Sequence, residues 1–263
     1  MPHAEVNGTS LFYRLDGPEA GATVMLSNSL ASNLAMWDPQ IAALTSAGYR
    51  VLRYDSRGHG QSAVPAGPYT IEMLAADAVA LLDALHIEKA HFCGLSKGGM
   101  VGQMLGTRHP ERLQSLVLCD TSSYLGPKDM WNDRINTVRA NGMEGFAGPT
   151  IDRWFTKPGQ ERLADEVAKV RQMIVTTPVE GFCACAEAIR EMDQRESIRA
   201  ITTPTLVIVG EQDPGTTVEM ARGIQAAIPG AGLEIIPQSA HLCNIEQPAA
   251  FNGALIPFLQ SHG

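Results

Sequence analysis

The sequence predicts an α/β fold: a mostly parallel central sheet, helices on both of its faces, and a helical segment inserted late in the chain. Three observations predict it. Short segments rich in branched apolar residues alternate with amphipathic helical segments through the first half of the chain. The alternation stops between Ser122 and Glu196, then resumes at Pro204-Thr205-Leu206-Val207-Ile208-Val209-Gly210. Strands separated by helices must be joined by crossovers, and crossovers make neighbouring strands parallel and cover both faces of the sheet.

The elements follow in order. Thr23-Val24-Met25-Leu26 and Tyr49-Arg50-Val51-Leu52-Arg53-Tyr54 read as buried strands, with a helix from Trp37 to Ala47 between them. From Thr70 to His86, Leu74, Ala78, Leu81, Leu82 and Leu85 keep helical spacing, and Glu72 sits in the first turn where the helix dipole favours an acid. A strand at Ala90 to Cys93, a helix from Lys97 to Arg108 stopped by Pro110, and a strand at Leu116 to Cys119 continue the pattern. After the interruption come the strand at Leu206 to Val209, a helix around Val218 to Ala227, a last strand at Gly232 to Ile236, and a helix after Pro248. With 263 residues the chain suffices for one core carrying an insertion. The expected division is a core of residues 1–121 and 197–263 with a helical cap of residues 122–196.

Composition excludes several classes of partner. A formal charge of −8 offers no basic field for nucleic acid or an anionic membrane. No apolar run approaches the roughly 20 residues that span a bilayer, and the start Met1-Pro2-His3-Ala4-Glu5 has no secretory pattern, so a cytoplasmic protein is expected. Five cysteines, at 93, 119, 183, 185 and 243, are odd in number and set in apolar surroundings, which reads as free thiols in a reducing compartment. Cys183-x-Cys185 is too small a set for a metal site, and no metal or other cofactor is expected. Whether copies associate is left open.

The chemistry begins at Cys93-Gly94-Leu95-Ser96-Lys97-Gly98-Gly99, a Gly-x-Ser-x-Gly pattern between a strand and a helix. In that context the serine occupies a tight turn, the glycines leave room where side chains would collide, and the helix start offers N–H groups to developing negative charge. Ser96 is therefore the expected nucleophile. A serine hydroxyl needs a base, and imidazole titrates near working pH. His241, just after the last strand, can reach the edge where Ser96 stands, whereas His3 and His262 are terminal and His86, His91 and His109 belong to regular elements or their ends. A carboxylate must orient that imidazole. Asp213, in Gly210-Glu211-Gln212-Asp213-Pro214, is the expected group; Asp120 at the end of another strand is its rival and Glu211 the weaker neighbour. The N–H of Lys97 and that of Leu30, in Leu26-Ser27-Asn28-Ser29-Leu30-Ala31-Ser32, are the expected oxyanion-hole donors. The Lys97 side chain is not required for that role and could be a solvated charge.

Tyr54-Asp55-Ser56-Arg57-Gly58-His59-Gly60-Gln61-Ser62-Ala63 contains Gly-x-Gly-x-x-Ala, but Pro65, Gly67 and Pro68 stand where a dinucleotide fold needs a helix. The segment reads instead as a turn shaping the site wall.

Asn28-Ser29-Leu30, Met36-Trp37, the run from Asp55 to Ser62, Cys93-Gly94-Leu95-Ser96 and Gly210-Glu211-Gln212-Asp213 together resemble the 3-oxoadipate enol-lactonases, cofactor-free α/β-hydrolases of bacterial aromatic breakdown (the β-ketoadipate pathway). The resemblance spans nearly the whole chain and is weakest in the helical insertion. Lys97 departs from it, since an uncharged residue is expected there. The resemblance implies attack of Ser96 on a lactone carbonyl, departure of an enol that becomes a ketone, and release of 3-oxoadipate by water activated at His241. It further implies a small lactone or ester substrate bearing a carboxylate, and hence a cation facing the pocket: Arg134 or Arg153, beside Trp131 or Trp154. Other ester, thioester or carbon–carbon bond hydrolases, cofactor-free haloperoxidases, and a hydrolase-shaped receptor for small molecules share the same side-chain set and stay open alternatives. Haloalkane dehalogenases and epoxide hydrolases are disfavoured, because they carry aspartate where Ser96 stands.

Overall fold

A computed structural model describes residues 2–263; Met1, the first residue of the expected core, lies outside them. The strands are β1 (His3–Val6), β2 (Thr9–Asp16), β3 (Thr23–Ser27), β4 (Arg50–Tyr54), β5 (Ala90–Leu95), β6 (Leu113–Cys119), β7 (Thr205–Gly210) and β8 (Gly232–Ile236). They form one sheet in the order β1-β2-β4-β3-β5-β6-β7-β8. From β4 onward every pairing is parallel, while β1 with β2 and β2 with β4 are antiparallel. The mostly parallel sheet expected from the sequence is thus present, with an antiparallel edge.

That edge is a hairpin. Val6 pairs with Thr9 across Asn7-Gly8, and both turn residues have positive φ, 45° and 71°. This is the turn whose twist matches paired strands, and Asn-Gly is the dipeptide that tolerates it. The inner strands β3, β5 and β7 are buried at every position, as strands covered on both faces must be.

Helices α1 (Asp38–Ser46), α2 (Ile71–Ala84) and α3 (Lys97–Arg108) connect the first parallel strands. The side chain of Thr70 caps α2 by accepting from the Met73 N–H at 3.0 Å, and Ile71, Leu74, Ala78, Leu81 and Leu82 line its buried face. Each fully buried leucine or isoleucine contributes about 2 kcal/mol through loss of apolar contact with water. Between β6 and β7 the chain runs through α4 (Lys128–Asn141), α5 (Glu144–Trp154), α6 (Lys157–Arg162), α7 (Ala164–Thr176) and α8 (Val179–Glu191). An isolated antiparallel bridge between Tyr124 and Asp193, with the Gln194 N–H donating to the Ser123 carbonyl at 2.8 Å, ties the two ends of this helical excursion together. After β7 come α9 (Val218–Ala227), the short α10 (Cys243–Glu246) and α11 (Pro248–Gln260). Among the described residues no helix is long and apolar enough to cross a membrane. All five cysteines are free and buried.

Candidate active site

Ser96 stands between β5 and α3 with φ 56° and ψ −113°, a conformation that costs a residue with a side chain about 1–3 kcal/mol. Neighbouring groups hold it there: its N–H donates to the Cys119 carbonyl at 2.9 Å, and its own carbonyl accepts from the Thr121 hydroxyl at 2.7 Å. The two flanking glycines are needed for close approach. A Cβ at 94 would lie 2.1 Å from the Gly98 carbonyl oxygen, and one at 98 would lie 2.2 Å from the Ser27 carbonyl oxygen.

β5, β6, β7 and β8 are adjacent and parallel, so the turns that leave their carboxyl ends emerge along one edge. Asp213 follows β7 and His241 follows β8, and their side chains meet there: His241 Nδ1 donates to Asp213 Oδ2 at 2.7 Å. Asp213 also accepts from the Gly215 N–H at 2.8 Å, the Thr216 N–H at 3.1 Å and the Thr216 hydroxyl at 2.5 Å. Burial favours the neutral form of both groups, yet the ion pair and these hydrogen bonds prevail. The imidazole is left above the ordinary histidine value of 6.5, and the carboxyl below its ordinary 3.8.

Asp120, the rival acid, is differently engaged. Fully buried, its carboxyl accepts from the Gly210 N–H at 2.7 Å and from the Cys243 thiol at 2.8 Å. Burial first, then the nearby Asp213 charge, pushes its pKa far up. It ties the end of β7 to the start of α10, and among the described residues it makes no hydrogen bond to the imidazole. Glu211 accepts from the Gln238 N–H at 3.1 Å, also away from His241.

Ser96 and His241 line one cavity of about 290 Å³, whose wall includes Leu30 and Asp213. Among the described residues no hydrogen bond joins the serine hydroxyl to the imidazole; such contacts often tighten only once substrate is bound. Lys97 opens α3, so its backbone N–H belongs to the orphan donors of a helix start. Its side chain is not a solvated charge. It is wholly buried, its Nζ has no hydrogen-bond partner among the described residues, and burial drives its pKa down.

The four residues expected on the helical wall, Trp131 and Arg134 on α4 and Arg153 and Trp154 on α5, all line the cavity. The Arg134 guanidinium lies over the Trp131 ring at 4.5 Å, and that of Arg153 lies 6.0 Å from the Phe146 ring and donates to the Thr150 hydroxyl at 3.0 Å. Among the described residues neither arginine forms an ion pair. Burial, and then the charge of Arg153, lowers Arg134 to about 10. The Trp154 ring stacks obliquely on His241 at 5.8 Å between centroids, and its carbonyl accepts from the Leu242 N–H at 3.1 Å.

Thr216 is a site residue that the sequence reading missed. Its hydroxyl donates to Asp213 and lies 3.1 Å from His241 Nδ1. The signal was present in Asp213-Pro214-Gly215-Thr216, where an aspartate followed closely by glycine and threonine marks a side-chain-capped turn. Cys183 and Cys185 lie in α8 near different groups, the Ile135 carbonyl and His59 respectively, and among the described residues no three metal-binding side chains converge.

Comparison with known proteins places this arrangement in context. The family model described as the alpha/beta hydrolase fold matches residues 22–248. The chain is 39% identical over 246 residues to the 3-oxoadipate enol-lactonase 2 of Acinetobacter baylyi, covering 94% of this chain and 91% of that protein. Among solved structures it is similar to the enol-lactonase from Burkholderia xenovorans, at 42% identity and a TM-score of 0.96 over 98% of this chain and 100% of that one. A hydrolase from Pseudomonas aeruginosa is similar at 43% identity with a TM-score of 0.94, covering 98% and 97% of the two chains. With that family model matched over most of its length and these relatives similar over nearly the whole of it, the chain belongs to the α/β-hydrolase family.

Proposed function

We propose that this chain hydrolyses 3-oxoadipate enol-lactone to 3-oxoadipate through an acyl-enzyme on Ser96, as a step in the breakdown of aromatic compounds. The Ser96 hydroxyl attacks the lactone carbonyl as His241 takes its proton, and Asp213 holds the imidazole in the accepting tautomer and stabilises the imidazolium. The Leu30 and Lys97 N–H groups receive the oxyanion. The ring C–O bond then breaks, the leaving enol oxygen takes the proton from His241, and the enol becomes a ketone while its acyl end stays on Ser96. Water that loses a proton to His241 attacks that ester, and 3-oxoadipate departs with Ser96 restored.

The observation that carries the reading is the 2.7 Å His241–Asp213 pair beside the same cavity as a serine held on a positive-φ elbow. The named relatives of Acinetobacter baylyi and Burkholderia xenovorans support the choice of lactone. Residues 122–196 act as a cap over a core of residues up to 121 and from 197 onward, and Arg134 and Arg153 bind the substrate carboxylate against Trp131 and Trp154. Two guanidinium groups in one cavity that form no ion pair among the described residues favour an anionic lactone over a neutral ester, thioester or a receptor ligand. The five free cysteines fit a cytoplasmic location. Turnover against a panel of carboxylate-bearing lactones and neutral esters of similar size tests the proposal. Rates within roughly 1–1,000 per second on the enol-lactone and far lower ones on neutral esters are expected. Tight binding with negligible turnover would favour the receptor instead.

A further inference from the structure

The turn from Asp55 to Ser62 has no part in the mechanism above, yet it reaches the loop that carries Leu30. His59 is wholly buried, and its Nε2 accepts a hydrogen bond of 3.1 Å from the Ala31 N–H, the peptide immediately after Leu30. Ala31 has φ 60°, a left-handed conformation that a residue with a side chain keeps only when its surroundings hold it. A second tie lies beyond it: the Leu34 N–H donates to Asp55 Oδ1 at 2.7 Å.

From this geometry we infer that His59 is a positioning residue for the oxyanion hole, fixing the Ala31 peptide so that the Leu30 N–H is aimed at the reacting carbonyl. The inference rests on the reading of Leu30 as an oxyanion donor. Nε2 can accept only if the ring proton is on Nδ1, and Nδ1 faces the Arg57 carbonyl at 3.4 Å with the Cys185 sulfur at 3.9 Å. Burial, and then the neighbouring Lys97, holds the His59 pKa well below 6.5, so the imidazole stays a neutral acceptor over the working range. A protonated ring would turn an N–H against the Ala31 N–H. The contribution is therefore preorganisation: a donor fixed where charge develops needs no rearrangement as the oxyanion forms, and a small misplacement weakens it.

His59→Leu removes the acceptor, whereas His59→Gln can return one with Oε1. Three readouts separate the possibilities: amide hydrogen exchange at Ala31, steady-state kinetics, and the affinities for butylboronic acid, which forms a tetrahedral adduct on Ser96, and for adipate, which forms none. The leucine variant is expected to expose the Ala31 amide and to lose on the order of 10- to 100-fold in kcat and in boronate affinity, with KM and adipate affinity little changed. The glutamine variant is expected to recover part of each loss. Unchanged Ala31 exchange in the leucine variant overturns the inference, as does an equal loss of adipate and boronate affinity, which would mean general disorder. A freed Ala31 amide with kcat and boronate affinity intact overturns the Leu30 donor and the positioning role with it, leaving only the bond itself. Should the leucine variant fail to fold, His59→Phe, which keeps a ring of similar shape but offers no acceptor, takes its place with the same expected losses and the same overturning outcomes.

Discussion

Ser96, Asp213 and His241 stand on turns that leave the sheet at one edge, whereas Trp131, Arg134, Arg153 and Trp154 stand on α4 and α5 of the helical excursion and face them across the cavity. The first set is held by many short hydrogen bonds from several parts of the chain. Asp213 alone receives four, from His241, Gly215 and Thr216, and Asp120 ties the end of β7 to the start of α10. The second set rests on ring contacts and on fewer hydrogen bonds, among them Trp131 Nε1 to the Leu125 carbonyl at 2.7 Å and Arg153 to the Thr150 hydroxyl at 3.0 Å, and among the described residues neither of its guanidinium groups forms an ion pair. On the proposed function, reaction demands fixed geometry to a fraction of an ångström, which the sheet edge would supply, and recognition of an anion demands charge outside any ion pair in a partly dry place, which the helices would supply.

If that division is right, damage to the two sides will have different kinetic signatures. The largest expected effect is Asp213→Asn, which leaves the imidazole without its carboxylate and should lower kcat by about 10⁴-fold, against only a few-fold for Asp120→Asn. Single-turnover kinetics measures both, and the opposite ranking would transfer the acid role to Asp120. In the unaltered enzyme the base must be neutral to act, and the Asp213 carboxylate raises its pKa. The acid limb of kcat/KM should accordingly have its midpoint above 6.5, with activity lost as pH falls through it, and Asp213→Asn should move any residual limb downward.

On the helical wall, Arg134→Leu should lower kcat/KM for a carboxylate-bearing lactone by about 10- to 100-fold, as expected for loss of a charge-assisted hydrogen bond. It should leave a neutral ester of the same size within a few-fold. An equal loss on both would assign Arg134 to packing on Trp131 rather than to the substrate.

The smallest expected effect is at a residue that lines neither wall of the cavity. Lys97 has a buried amine with no hydrogen-bond partner among the described residues, so Lys97→Met, of similar length, should stabilise the fold by about 1–3 kcal/mol in chemical denaturation near neutral pH. The sign with pH follows from its depressed pKa. Below the folded value both states hold the proton and the penalty is full. Between that value and the ordinary 10.5 the unfolded chain binds more protons, stability rises with pH, and the advantage of methionine shrinks.

How far the sequence carried depended on how local each feature is. The elbow was legible because a strand, a glycine-flanked serine and a helix are contiguous, and the inner strands were legible because burial on both faces writes itself as unbroken apolar runs. The β1–β2 hairpin was not read, although Asn7-Gly8 between Val6 and Thr9 carries its turn signal; β1 is only four residues long with alternate residues buried, and β2, though eight residues long, buries Leu11 and Phe12 side by side and so keeps no clean alternation. Asp120 and Asp213 could not be separated with the same ease, since both follow strands that prove to be neighbours, and only the fold reveals that one points back to Gly210 and Cys243 while the other reaches His241. The burial of Lys97 and the bond from Ala31 to His59 depend on segments far apart in the chain, and no spacing rule in the sequence announces them.

The central claim is that Ser96 itself carries the acyl group. Rapid-quench mass spectrometry during hydrolysis of a slow p-nitrophenyl ester measures this directly. An acyl adduct on the peptide containing Ser96 that forms and decays at rates matching turnover is expected, with neither adduct nor turnover in Ser96→Ala. An adduct on another residue, or turnover that persists in Ser96→Ala, would contradict it.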